Sequence, residues 1–211
     1  MLDLIERRLH VAGHALTLRV PRDSEALLSE EAFADDEFLP YWAELWPSAL
    51  ALAEAMGDHG ARPLDPVTVL ELGAGLGVPA IAAALARDRV VATDWAADAV
   101  ELLRENAARN GAPMRVLRWS WTADPAPLGG PFDRVLAADV LYEARNVGQL
   151  LDALPGLVAP GGEAWIADPG RTTAAPFLAA AAATWTVDRV EHAGPPSVTI
   201  HRLRRGTAPS G

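Results

Sequence analysis

Cysteine is absent from the 211-residue chain, which removes disulfides, zinc–thiolate sites and a cysteine nucleophile together. Lysine is absent too: all 18 basic residues are arginine, an imbalance that a codon bias toward arginine and alanine explains without reference to function. Half of the residues are apolar, yet no run of about 18 apolar residues occurs, so no membrane span is expected. The N-terminus, MLDLIERRLH, carries charges where a signal peptide needs an apolar stretch, and a cytoplasmic location is the expectation. Positive charge is also scarce, 18 basic against 28 acidic residues for a net charge of −10. A nucleic-acid partner is thereby disfavoured, and a basic protein or a cationic amine suits the chain better. His10, His14, His59, His192 and His201 share no ligand spacing on an identifiable helix, so no metal is expected. The length fits one domain with a substantial core, expected to be monomeric.

What is present is concentrated at residues 67–77, VTVLELGAGLG. A β-branched, apolar run ends in Glu71 and then in Gly73, Gly75 and Gly77, and Pro79 suits a first helical turn. Glycine accepts positive φ and lets a ligand approach the main chain, so a strand breaking into such a turn makes a nest of amides at a helix N-terminus. Dinucleotide folds usually show G-x-G-x-x-G with the acid on the next strand. Here the order is E-x-G-x-G-x-G, acid first. A ligand-free glycine turn and a different nucleotide are the competing readings. The acid-first version resembles motif I of the seven-β-strand S-adenosylmethionine-dependent methyltransferases. That resemblance implies S-adenosyl-L-methionine as cofactor, with the turn, Ala74 included, passing around its methionine half. Asp94 ends the next strand roughly 20 residues on, placed for ribose hydroxyls; capping the following helix is compatible with that. Trp95 either lies on the adenine or packs.

The coarse organisation is a hairpin around Gly13, an acidic helical patch over 24–33, the aromatic connector PYWAELWP over 40–47 and an amphipathic helix over 48–56. Strands at 67–72, 89–93, 114–119, 132–138, 162–167, 185–191 and 197–203 then alternate with helices at 78–87, 96–110, 146–154 and 174–183. Gly111 suits a helix C-terminal cap. Alternation implies an α/β, Rossmann-like, doubly wound parallel sheet. Only Gly194-Pro195-Pro196 separates the last two strands, too little for a crossover helix, so the last strand should be antiparallel. The strand order 3-2-1-4-5-7-6 is implied by the resemblance. The expected division is an N-terminal extension over 1–58, a cofactor-binding core over 59–203 and a disordered tail over 204–211.

Ligands of open α/β sheets sit outside the carboxyl ends of the strands. The fourth strand ends AADVLY, which sets Ala138, Asp139 and Tyr142 there. Asp139-Val140-Leu141-Tyr142 resembles the D-x-x-Y motif of seven-β-strand enzymes that methylate protein lysines. Trp46-Pro47, Trp119 and Asp168-Pro169-Gly170-Arg171 accompany it, the last most similar to the branch acting on the electron-transfer flavoprotein β subunit. The resemblance implies that Asp139 binds the incoming amine and Tyr142 shapes its channel. It also places Trp46, Trp119 and Ala138 with Glu71, Gly73, Gly75, Gly77, Asp94 and Trp95 around the cofactor. The plain alternative has Asp139 capping a helix and Tyr142 packing beneath it. Trp42 and Trp46 suit an aromatic wall or a hydrophobic clamp; Trp121, Trp165 and Trp185 suit packing. Arg171 is free to pair with Asp168 or with an acidic partner. The expected function is protein-lysine N-methylation, against a small-molecule amine or hydroxyl methyltransferase or a scaffold without activity. A protein acceptor needs an open face, whereas a small molecule wants a lid from the segment before Trp46.

Overall fold

Short β-branched runs with apolar residues at both parities fold as strands buried on both faces, and this chain has several. The computed structural model describes residues 2–24, 27, 40–57, 66–192 and 196–206. Almost all of the helical patch expected over 24–33, His59, the boundary at 58/59, residues 194–195 and the end of the chain beyond 206 lie outside these.

The N-terminal hairpin pairs β1 (Leu4–Val11) with β2 (His14–Pro21). Its turn puts Ala12 at φ +53° and Gly13 at +76°, the sense of twist that suits two-residue hairpins. The main sheet contains β3 (Thr68–Leu72), β4 (Arg89–Asp94), β5 (Met114–Arg118), β6 (Phe132–Ala138), β7 (Val158–Asp168), β8 (Thr186–His192) and β9 (Val198–Arg204). Its order is β5-β4-β3-β6-β7-β9-β8, with β9 antiparallel to both neighbours. This is the seven-stranded arrangement implied by the resemblance. Helices α1 (Pro47–Gly57), α2 (Val78–Leu85), α3 (Ala97–Arg109), α4 (Ala144–Leu157) and α5 (Ala174–Ala181) cover the sheet.

Alternate residues of each strand supply two cores. Val69, Leu136, Trp165 and Ile200 face α1, α2 and the hairpin's Leu16 and Leu18; Leu70, Val135, Ile166 and Leu203 face α4 and α5. Each fully buried leucine contributes about 1.5–3 kcal/mol. Asn106 in α3 and Asn110 at its C-terminal cap, one turn apart, tie the hairpin down. Asn110 accepts from Thr17 N (2.8 Å) and donates to Thr17 O (2.9 Å); Asn106 accepts from Arg19 N (2.7 Å) and donates to Arg19 O (3.1 Å). Gly111, at φ +62°, follows α3 as expected.

Two boundaries differ from expectation. Helix α4 runs past Pro155 to Leu157 because Arg205 Nη1 donates to the Pro155 carbonyl (2.7 Å) and to that of Val158, satisfying groups at the helix end. Strand β7 starts at Val158, opposite Phe132, and a register shift between Phe132 and Arg134 accommodates Pro160-Gly161-Gly162. Arg204 closes β9, and Arg205 N donates to Gly162 O, so the sheet takes in residues expected in the tail. Among the described residues no helix is long and apolar enough to cross a membrane.

Candidate functional site

Strands β3, β4 and β6 are neighbours and parallel, so their carboxyl ends open on one side of the sheet. One cleft lies there. Its lining includes Trp42, Trp46, Glu71, Gly73 to Val78, Asp94, Trp95, Ala138 to Val140 and Tyr142.

The turn after β3 is held by main-chain bonds. Ala74 N donates to Thr93 O (2.9 Å) and Gly77 N to Ala74 O (2.8 Å). Gly73, Gly75 and Gly77 take φ of +60°, +50° and +83°. A Cβ on Gly75 would stand 3.0 Å from Trp42 O, and one on Gly77 would stand 2.0 Å from Leu103 Cδ1. The glycines therefore serve both conformation and space.

Glu71 is 1% exposed, and its Oε2 accepts from Ala80 N at 2.7 Å across the start of α2. Burial pushes this carboxyl up to about 8, against the Ala80 bond, with Asp94 adding to the rise. Asp94 is 4% exposed and grips two segments: Oδ2 accepts from Gly75 N and Oδ1 from Ala96 N, both at 3.0 Å. Burial raises its pKa, and those amides oppose the rise. Ala96, with no side-chain bond of its own, is the helix-capping residue. Asp94 thus fastens the glycine turn to the start of the α3 segment.

On the other wall Asp139 follows β6 directly, at φ +57°, an uncommon conformation for a residue with a side chain. Asp139 N donates to Ala167 O (2.9 Å), and its carboxylate pairs with Arg171 Nε. Arg171 is held in turn: Gly170 N and Arg171 N both donate to Asp168 Oδ1 at 2.8 Å. Tyr142 packs its ring 4.8 Å from that of Tyr41, centroid to centroid. Burial raises the Tyr142 phenol, so it stays protonated at neutral pH. Trp46 Nε1 donates to Tyr41 O (2.7 Å), which fixes the connector above this wall.

Eleven of the twelve site residues named from sequence line the cleft. Trp119 is the exception and is a correction: it is 7% exposed within the core beneath α4, its Nε1 donating to Asp124 O at 3.0 Å. Trp121, assigned to packing, packs against the core as expected and lines the cleft as well, within reach of Gly73. Trp42 both lines the cleft and packs on the core. Tyr41, Glu44, Glu143 and the side chain of Arg171 were not foreseen here. The connector's aromatic content was the available signal for Tyr41. Among the described residues no group of three or more His, Asp or Glu side chains is placed to hold a metal ion.

Comparison with known proteins agrees with this geometry. Residues 36–175 match the family model described as "Lysine methyltransferase". EEF1A lysine methyltransferase 3 from Mus musculus is 33% identical over 132 residues, 61% of this chain and 56% of that protein. Histone-arginine methyltransferase METTL23 from Xenopus laevis is 31% identical over 116 residues, 53% of this chain and 49% of that protein. The chain thus spans about half the length of these curated relatives. In fold it is similar to the 16S rRNA N2 G1207 methyltransferase RsmC from T. thermophilus, solved with AdoMet and guanosine: TM-score 0.68, 16% identity, 96% of this chain and 50% of that one.

Proposed function

The chain belongs to the lysine methyltransferase family, and from that premise we propose that it transfers a methyl group from S-adenosyl-L-methionine to the side-chain nitrogen of a protein lysine. The observation that carries this reading is the meeting of Asp139 and Tyr142 with the glycine turn in one cleft.

The residues fit the cofactor. Gly73, Gly75 and Gly77 line the cleft at positive φ, and because a Cβ would meet Trp42 at Gly75 and Leu103 at Gly77, glycine lets the turn close against its neighbours and present its main chain to the cleft. Asp94 would take the ribose hydroxyls, Glu71 and the turn the methionine half, with Trp46, Trp95, Trp121 and Ala138 flanking. The cofactor supplies a methyl group on a sulfonium and departs as a neutral thioether. The chain's own work is positioning. A lysine ammonium, with a pKa of about 10.4, has no lone pair and must lose a proton to solvent before its nitrogen can bond the methyl carbon. Asp139 orients that nitrogen. Tyr142, protonated, cannot take its proton and instead walls the channel with Tyr41. Holding the reacting atoms in line while excluding water supplies the larger share of the rate. A cytoplasmic, monomeric protein belongs to the same reading.

One observation favours a small-molecule amine as acceptor. Tyr41 lies on Tyr142, so the connector covers part of the mouth. Incubating the protein with methyl-labelled S-adenosylmethionine and a lysate of its source cells separates the two. Label on protein lysine, located by mass, is the expected result. Label confined to a small metabolite transfers the assignment to the second reading, and label on arginine changes the acceptor.

A further inference from the structure

Orientation of a lysine does not explain why Asp139 already has a cationic partner. Arg171 Nε donates to the Asp139 carboxylate, and its guanidinium carbon lies 6.0 Å from the centroid of the Tyr142 ring. The Asp139 side chain is 5% exposed and that of Arg171 31%, so the acid lies behind and the cation toward the opening. The placement is built in, because Asp168 fixes the main chain of Gly170 and Arg171 through two 2.8 Å bonds and Gly170 takes φ +96°. Burial opposes the charge on Arg171, but Asp139, Asp168 and Tyr41 outweigh it, so the guanidinium stays a cation at every working pH.

Arg171 is the one cation among the described residues that line the cleft. The acids there are Glu44, Glu71, Asp94, Asp139 and Glu143. Glu143, at the start of α4, is met by Arg145 at 2.5 Å; Glu71 and Asp94 are bonded to main-chain amides on the opposite wall. Tyr142 completes the surroundings as a phenol that burial keeps protonated at neutral pH, with the Tyr41 ring packed beside it. An ammonium drawn to Asp139 therefore meets a fixed like charge at that carboxylate. A unit charge some 6 Å away, at an effective dielectric between about 20 and 40, lowers an amine's pKa by about one to two units.

We propose that Arg171 is the specificity-determining residue of the acceptor subsite: by occupying Asp139 it makes the subsite favour a primary amine in its neutral form over the ammonium. This rests on the amine-methylating reading above. The acceptor gives up its proton to water on entering, its lone pair forms the new nitrogen–carbon bond, and the carbon–sulfur electron pair leaves with sulfur. No side chain has to act as a base.

The test uses n-butylamine, the chemical equivalent of a lysine side chain, titrated into the full chain saturated with S-adenosylhomocysteine and followed by NMR between pH 7 and 10.5. An amine whose pKa falls by about one to two units on binding is held about ten- to a hundredfold more tightly as the neutral form than as the ammonium. Wild-type affinity should therefore be level near pH 7 and rise by that factor as pH climbs from the lowered pKa to the free value of about 10.4. Arg171→Gln should bind more tightly at pH 7 and show a flat profile, while Arg171→Lys keeps the wild-type slope. A purely structural role for Arg171 would change affinity without changing slope. A flat wild-type profile, or an unchanged slope in a folded Arg171→Gln variant, overturns the proposal; if that variant does not fold, the wild-type and Arg171→Lys slopes decide. Failure of the functional reading is seen separately. A steep slope in a chain that labels no protein lysine keeps the amine selectivity and removes the protein acceptor, whereas a flat slope with labelled lysine does the reverse.

Discussion

On the glycine-turn wall, two buried carboxylates receive main-chain amides from segments close in sequence, and the glycines leave room for main-chain approach. On the wall after β6, one carboxylate meets a guanidinium from a different loop, and two tyrosine rings from distant segments pack at a tilt. The first wall is a main-chain mould, rigid before any ligand arrives. The second is a set of side-chain contacts that a change in two or three residues would rewrite. Binding of a common group suits the first construction, and choice among acceptors suits the second.

The sharpest way to break this contrast is Asp139→Ala. It should reduce methyl transfer by about a hundredfold or more while leaving cofactor affinity within a few-fold, since misplacing a reacting group costs on that order. Calorimetry and a labelled-methyl assay measured side by side check it, and Tyr142→Phe should be milder because the ring still walls the channel. Joint loss of binding and transfer would mean that the walls are not separable.

Asp94→Ala probes the mould. Losing a charge-assisted partner costs about 1.5–3 kcal/mol, so S-adenosylmethionine should bind about ten- to a hundredfold more weakly in a chain that still melts cooperatively. In the wild type, cofactor at a hundred times its dissociation constant should add about 2.7 kcal/mol to stability. An Asp94→Ala chain that is unfolded at room temperature would show that the bonds to Gly75 and Ala96 serve folding first.

The remaining test concerns Glu71. Its carboxyl titrates near 8 in the folded chain against 4.5 unfolded. Stability from this group is therefore full below pH 4.5 and declines as pH rises toward 8, by up to about 1.4 kcal/mol per unit. Urea midpoints of the ligand-free protein at pH 5 and pH 8 should show the decline, and Glu71→Gln should flatten it, leaving the part that belongs to Asp94, whose shift has the same sign. An unchanged slope in Glu71→Gln would place the pH dependence elsewhere.

The contrast also explains what could be read from the sequence. Glu71 and the three glycines fall within seven consecutive residues, and Asp94 follows from one helix and one strand of ordinary length, so local chemistry suffices there. The pair Asp139 and Arg171 is separated by 32 positions and joined only through two loop geometries. Trp119 and Trp121 flank a single serine just after β5, where strand alternation no longer assigns sides; the fold sends the first inward and the second over the turn. Helix α4 outlasts its proline because of an arginine fifty positions away, a partner that no window around Pro155 contains.

The two asparagines of α3 have a consequence for solubility. A two-stranded hairpin leaves an outer row of donors and acceptors, an open invitation for a strand of another molecule to join and begin aggregation. Asn106 and Asn110 fill that row at alternate positions of β2, each amide accepting from and donating to one residue as a neighbouring strand would. A helix here does the sealing that a barrel achieves by closing on itself.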